Sequence, residues 1–233
     1  MSTGADEEPD IAVVVLMAFG PLSLPWAWWR FLLGRFSLYR TPGLRFAKVL
    51  GSGFEGGFGL RPSLSRQGLF CIFAGERAAE SFLVSPWLRR LDDRAHEWCW
   101  LKLGAFSSRG TWSGHSIMPC EQPPRGEPVV SLTRASIRPS KALRFWRMAP
   151  PAEAALAAAP GCSLAVGLGE APVLRQATLS VWDNVDAMDA YARSGAHLLA
   201  IQSAYRGQHF SESMFVRWRL LGQAGFWKGL ARA

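Results

Sequence analysis

The sequence predicts an α+β fold made of two copies of one strand–helix–strand–strand–helix–strand unit. Two observations carry this. A gapless self-match at an offset of 109 residues places Arg66-Gln67 on Arg175-Gln176, Phe73 on Trp182, Ala78 on Ala187, Phe82 on Tyr191 and Ser85 on Ser194. Strand-like and helical runs also follow one another in the same order in both halves. That order is the ferredoxin-like one, an antiparallel sheet with its helices on one face. Two such sheets can pack face to face, or join edges into a barrel with helices outside. The expected layout is an acidic tail over 1–10, a first half over 11–118, the linker PCEQPPRGEP over 119–128, a second half over 129–222 and a tail over 223–233.

The elements follow from local chemistry. Ile11–Phe19 is β-branched and reads as the first strand. Pro25 opens a helix through about Phe36, rich in Trp and Phe with Arg30 and Arg35 between. Leu44–Leu50 is the second strand and Gln67–Ala74 the third. A broken helix spans Glu76–Leu91, and roughly Glu97–Phe106 is the fourth strand. Ser107–Pro128 reads as connection. In the second half, Val129–Ile137 is a strand, and Lys141–Ala159 is helical but expected to split at Pro150-Pro151. Ser163–Leu168 and Gln176–Trp182 are strands. Asp183-Asn184 offers a helix N-cap, Ser194-Gly195 breaks that helix, and Met214–Leu221 is the last strand.

Of 233 residues, 49% are apolar and 19% charged, with eleven Trp, fourteen Phe and a net charge of +8. Such aromatic content fits a large core, an apolar pocket or contact with lipid. The basic residues are scattered, and no nucleic-acid motif is present. Cys71, Cys99, Cys120 and Cys162 form no CxxC pair, and the N-terminus is acidic rather than a basic signal sequence, so a reducing cytoplasmic setting is expected. Ile11–Trp29 lacks charge over the length of a membrane span. Gly20-Pro21 and Pro25 interrupt it, so a buried strand and an aromatic helix are expected, the latter either packed on the sheet or resting on a membrane surface.

Metalloprotease, phosphate-loop and serine-hydrolase motifs are absent. GSGFEGGF contains GxGxxG after a strand, but Gly and Pro follow where a helix should begin, which excludes a dinucleotide site. Gly51 and Gly53 remain candidates for close approach to a ligand. Asp183, Asp186 and Asp189 at a helix start read as dipole compensation rather than a metal site. Among His96, His115, His197 and His209, one stands out. His197 follows the helix break, and its counterpart in the first copy is Leu88, so the fold itself does not require a polar group there. Ile201 and Tyr205 continue its helical stripe. Neutral imidazole is a good iron ligand.

The stretches TPGLRFAKVLGSGFEGGF, WSGH at Trp112–His115, LTRASIRPSKALRFWRMAP and GLGEAPVLRQATLSVWDNVDAMDAYARSGAH together resemble the spheroidene monooxygenase family, across roughly residues 11–222. The resemblance implies a fold of the dimeric α/β-barrel type and a haem-dependent oxygenase that hydroxylates and then ketolates an acyclic carotenoid. His197 matches the histidine of the family's GxH segment, so it is expected to be the iron ligand. Electrons are expected from an external reductant such as a ferredoxin. Arg134, Arg138 and Arg175 are candidates for the haem propionates, because guanidinium meets carboxylate in bidentate fashion. Trp182, Tyr191 and Tyr205 join Gly51 and Gly53 as substrate-pocket candidates. The expected location is cytoplasmic, peripheral on the inner membrane face. Two other readings stay open: a cofactor-free oxygenase of small-barrel type, and a non-catalytic carrier of an apolar ligand.

Overall fold

In a computed structural model, residues 8–53, 61–171 and 174–227 are described. The elements in chain order are β1 (Asp10–Phe19), α1 (Leu24–Leu38), β2 (Leu44–Gly53), β3 (Pro62–Ala74), α2 (Gly75–Leu83), α3 (Pro86–Asp92) and β4 (Ala95–Gly110). Then come β5 (Val129–Ile137), α4 (Ala142–Ala157), β6 (Cys162–Ala171), β7 (Arg175–Trp182), α5 (Val185–Ala192), α6 (Gly195–Arg206) and β8 (Phe210–Phe226). The eight strands close into one antiparallel barrel in the order β1-β3-β2-β6-β7-β5-β8-β4. Within each half the first strand lies between the third and the fourth, and the second flanks the third. The runs Gln67–Ala74 and Gln176–Trp182 therefore hold the same place in their sheets.

Alternation along each strand sorts residues between the barrel interior and the helix-covered outside. On β1, Ala12, Val14, Leu16 and Ala18 point inward. Ile11, Val13, Val15, Met17 and Phe19 form the outer core with Ala27 of α1, Phe82 of α2 and Leu88 of α3. All ten residues of β1 are buried. Burial on both faces explains the uncharged run that has the length of a membrane span. Among the described residues no helix is long and apolar enough to cross a membrane.

Close contacts recur in both halves. Gly43 (φ +73°) and Gly161 (φ +76°) each precede a second strand, and a Cβ there would lie 2.5 Å from Ala78 Cβ and 2.7 Å from Ala187 Cβ. Their carbonyls accept from Ala74 N and Asp183 N, both at 2.8 Å. The helix breaks match too. Ser85 caps α3 by accepting from Leu88 N at 3.2 Å, and Ser194 stands just before α6. Asn184 caps α5, accepting from Ala187 N at 2.9 Å.

The structure corrects several expectations. α4 runs unbroken from Ala142 to Ala157. The two prolines remove N–H donors without ending the helix, because the turns on either side keep its register. The region after Phe106 is not simply connection. β4 continues to Gly110, and Trp112 and Ile117 enter the interior core. The 223–233 region is not simply a tail, since β8 reaches Phe226 and Trp227 is fully buried inside the barrel, with the Arg66 guanidinium 4.5 Å from its ring centre. At the N-terminus, Asp10 already belongs to β1 and pairs with Arg45 at 2.8 Å.

Gly43→Ala and Gly161→Ala should each lower stability by about 1–3 kcal/mol, because a left-handed backbone and a sub-van-der-Waals Cβ contact are imposed together. Denaturant midpoints with an unchanged far-UV spectrum would check this.

Candidate functional site

Two regions concentrate polar chemistry: one end of the barrel interior, and the outer face of the second half.

In the interior, Arg134 of β5 points inward and is 2% exposed. It donates to Glu212 of β8 and, at 3.2 Å, to Glu170 of β6. Glu170 also accepts from Trp112 Nε1 at 2.6 Å and pairs with Lys48 at 3.0 Å. Glu212 further accepts from the Thr111 hydroxyl at 3.0 Å and Gly114 N at 2.9 Å. His115 stacks on Phe46 with ring centres 4.9 Å apart. The network fastens the Trp112–His115 segment across the barrel end. Burial alone would raise the pKa of Glu212. Hydrogen bonds from the backbone of Gly114 and Ser113, from Thr111 and from Arg134 outweigh it and hold the carboxyl at about 2. Arg134 is thus committed to two carboxylates, which removes it from the expected propionate set.

On the outer face the halves differ. The first half presents Val13, Val15, Met17, Leu69 and Cys71 to its helices, and all are buried. The strand pairings put Ser131, Thr133, Ala135, Thr178 and Ser180 at the matching places of the second half. Thr133 is exposed in mid-strand, where its counterpart Val15 is fully buried. Among the described residues the buried outer cluster of the second half comprises Val129, Leu156, Trp182 and Met188. Among the described residues α6 packs mainly against α4 and α5, with no strand contact of similar extent. One ion pair is retained in both halves: Lys102 with Glu80 of α2 at 2.9 Å, and Arg217 with Asp189 of α5 at 2.7 Å.

The expected site residues fall as follows. His197 and Tyr205 belong to α6, but their side chains lie outside the described residues, as does Phe54–Leu60 of the glycine-rich loop. Arg138 and Arg175 are exposed at one end of the second sheet, where Ile137 N donates to Leu174 O at 2.7 Å and Arg138 N to His209 O at 2.8 Å. Trp182 and Tyr191 pack together with ring centres 5.3 Å apart, and Trp182 is 1% exposed. They form a packed wall rather than the lining of open space. Burial pushes the Tyr191 hydroxyl up to about 12, with a smaller contribution from Cys162. Gly51 and Gly53 lie in the barrel wall, where Gly51 pairs with Gly169 of β6. Asp183, Asp186 and Asp189 gather no metal-binding group among the described residues.

One residue was given no site role from sequence. His209 is fully buried, and among the described residues neither ring nitrogen has a hydrogen-bond partner. Burial, with Arg144 and Lys141 nearby, lowers its pKa and keeps the ring neutral. A buried polar group without a partner costs on the order of 1–3 kcal/mol. Nothing in the local sequence distinguishes it from a surface histidine.

Because the folded pKa of Glu212 is depressed, its stabilising effect is complete above the ordinary carboxylate pKa and is lost as pH falls towards 2. Glu212→Gln should flatten that acid-limb slope. Arg134→Met should cost about 3–5 kcal/mol at neutral pH by leaving carboxylates buried without their cation. Denaturant titrations between pH 2 and pH 7 read both effects.

No family model matches the chain. A spheroidene monooxygenase from Rubrivivax gelatinosus is 51% identical over 221 residues, covering 94% of this chain and 86% of that protein. One from Rhodobacter capsulatus is 36% identical over 225 residues, covering 94% and 93%. Among solved structures, an aldoxime dehydratase in complex with butyraldoxime superposes with a TM-score of 0.59 at 9% identity, covering 92% of this chain and 82% of that one, a likeness of fold alone. On the strength of the two sequence relatives, matched over nearly their whole length, the chain belongs to the spheroidene monooxygenase family and is a monooxygenase.

Proposed function

We propose that the chain is a haem-dependent oxygenase that hydroxylates and then ketolates an acyclic carotenoid of the spheroidene type, working at the outer face of β5–β8. The relatives' shared name supports the substrate class. One observation carries the location: on the outer face, positions of β1 and β3 packed with apolar side chains in the first half are small or hydroxylated on β5 and β7 in the second, where Thr133 is exposed. The repeated strand order further supports reading the two halves, over 11–118 and 129–222, as tandem ferredoxin-like copies, of which one stayed scaffold and the other became the site.

The described residues fit such a group. Thr133, Thr178 and Gly167 keep the outer positions of β5, β7 and β6 small, beside Phe215 and Arg217 of β8, which pair with Thr133 and Ser131. Arg138 and Arg175 have no carboxylate partner among the described residues and suit propionates. His197 occupies the α6 position equivalent to Leu88, whose side chain is buried against the first sheet, and in this reading it holds the iron. Haem, when bound, supplies dioxygen activation. The packed wall of Trp182 and Tyr191 excludes water on one side. Each turnover places one oxygen atom in a C–H bond and releases the other as water, which consumes two electrons and two protons. A ferredoxin-type donor would provide the electrons. A second turnover at the same carbon gives a geminal diol, which loses water to leave the ketone.

Purified protein should show a Soret band. His197→Ala should abolish it while the fold persists, and His96→Ala, His115→Ala and His209→Ala should retain it. Coexpression with acyclic carotenoids should yield hydroxylated and keto products. A full Soret band in His197→Ala would reject the ligand assignment. Products formed by haem-free protein would reject the cofactor.

A further inference from the structure

The outward side of α1 is apolar where a surface helix should be polar. Trp28, Trp29, Leu32, Leu33 and Phe36 occupy consecutive turns and are all exposed, Trp29 and Phe36 by more than 60%, and Leu22 just before the helix is fully exposed. The inward side is satisfied by Ala27 and Leu38 against the first sheet. Arg30 folds back between Trp87 and Trp26, at 4.8 and 5.9 Å from their ring centres, so it does not screen the apolar side. From residue 11 to residue 54 the sequence has no Asp or Glu, while Arg30, Arg35 and Arg40 fall within it; Arg45 and Lys48 in the same stretch are held by Asp10 and Glu170.

From this we infer that α1 docks the enzyme on the surface of a lipid bilayer containing anionic headgroups, with Trp29, Leu32, Leu33 and Phe36 entering the headgroup–acyl boundary. α1 is apolar on both sides, one packed on the sheet and the other exposed, so the exposed side suits the headgroup–acyl boundary, with Arg30, Arg35 and Arg40 along the segment and no carboxylate to repel phosphate. A second copy of the chain fits worse. A two-fold contact would set the same cationic segment against itself. The face also offers six large apolar side chains, whereas a stable interface draws about 20–30 residues a side. α1 covers β2 of the first half, leaving the outer face of β5–β8 on the other half unobstructed. The inference stands on the exposed helix and the charge pattern, so it survives or fails independently of the haem assignment.

Flotation with vesicles of phosphatidylcholine, alone or mixed with phosphatidylglycerol, tests it on the full chain. Wild-type protein should float with the mixed vesicles, more weakly with the neutral ones, and be partly released by salt. The Leu33→Ser/Phe36→Ser variant should lose at least tenfold in partitioning with an unchanged thermal midpoint. Leu143→Ser, at an exposed apolar residue of α4, should bind like wild type. Leu33→Glu gives a second reading, since a carboxylate there should weaken binding to the anionic vesicles most. Protein that stays unbound with both vesicle types, or a double variant that floats as well as wild type, overturns the inference. So does sedimentation showing a dimer that the double variant dissolves, because the face would then join two copies.

Discussion

Everything in this fold depends on pairing strand edges. Each half is a four-stranded sheet with two open edges, and an open edge exposes a row of unpaired backbone groups. The chain removes all of them by joining β2 to β6 and β4 to β8. The short seam brings Gly51 against Gly169, and Ser52 Oγ donates to Gly167 O at 2.8 Å. On the long seam Gly104 pairs with Arg219. Gly51 and Gly169 hold the same place in their halves, as do Gly104 and Arg219. Each seam is therefore an isologous contact, of the kind that joins identical subunits, made within one chain.

Closure fixes what the two faces of each sheet can do. Both halves keep the contacts that hold helices in place: Gly43 under Ala78 and Gly161 under Ala187, Lys102 with Glu80 and Arg217 with Asp189. The frame is common, and the halves diverge on both faces: inside, Arg134 stands where Leu16 stands in the first half, and outside, several apolar side chains give way to small or hydroxylated ones. Val13, Val15 and Leu69 in one half stand where Ser131, Thr133 and Thr178 stand in the other. A face that surrenders apolar burial at several matching positions loses stability, roughly 1.5–3 kcal/mol for each large side chain. That loss falls on the second half.

Sequence made the frame legible because its signals are local or periodic: β-branched runs, the Asn184 cap, the glycine at the α5–α6 break and the 109-residue self-match. Boundaries suffered where tertiary packing extended an element. β8 and Trp227 continue because an inward tryptophan gains burial in the barrel, which no local pattern announces. Arg134 illustrates the limit for site residues. Its place beside Arg138 in the sequence makes the two look like one basic group. Strand alternation sends Arg134 into the barrel, where its partners Glu170 and Glu212 come from distant strands. His209 was missed for a related reason, since complete burial without a hydrogen-bond partner is a property of the assembled fold.

The same packing facts bear on where an apolar ligand of the proposed kind would fit. An eight-stranded barrel has room inside for side chains and little else. Here Phe70, Trp112, Trp218 and Trp227 occupy that space, each no more than 1% exposed. Trp112 also belongs to the segment that the Arg134 network fastens over one end, so opening the interior would break a buried charge cluster as well as a packed core. The first half's outer face is filled by its own helices. What remains is the outer face of β5–β8, where β5 and β7 carry small or hydroxylated side chains, α6 packs mainly on α4 and α5 among the described residues, and the exposed Arg138 and the buried His209 share one end. An apolar substrate and a planar cofactor placed there would restore the burial that the face gave up, so ligand binding and completion of the second half's packing would be one process.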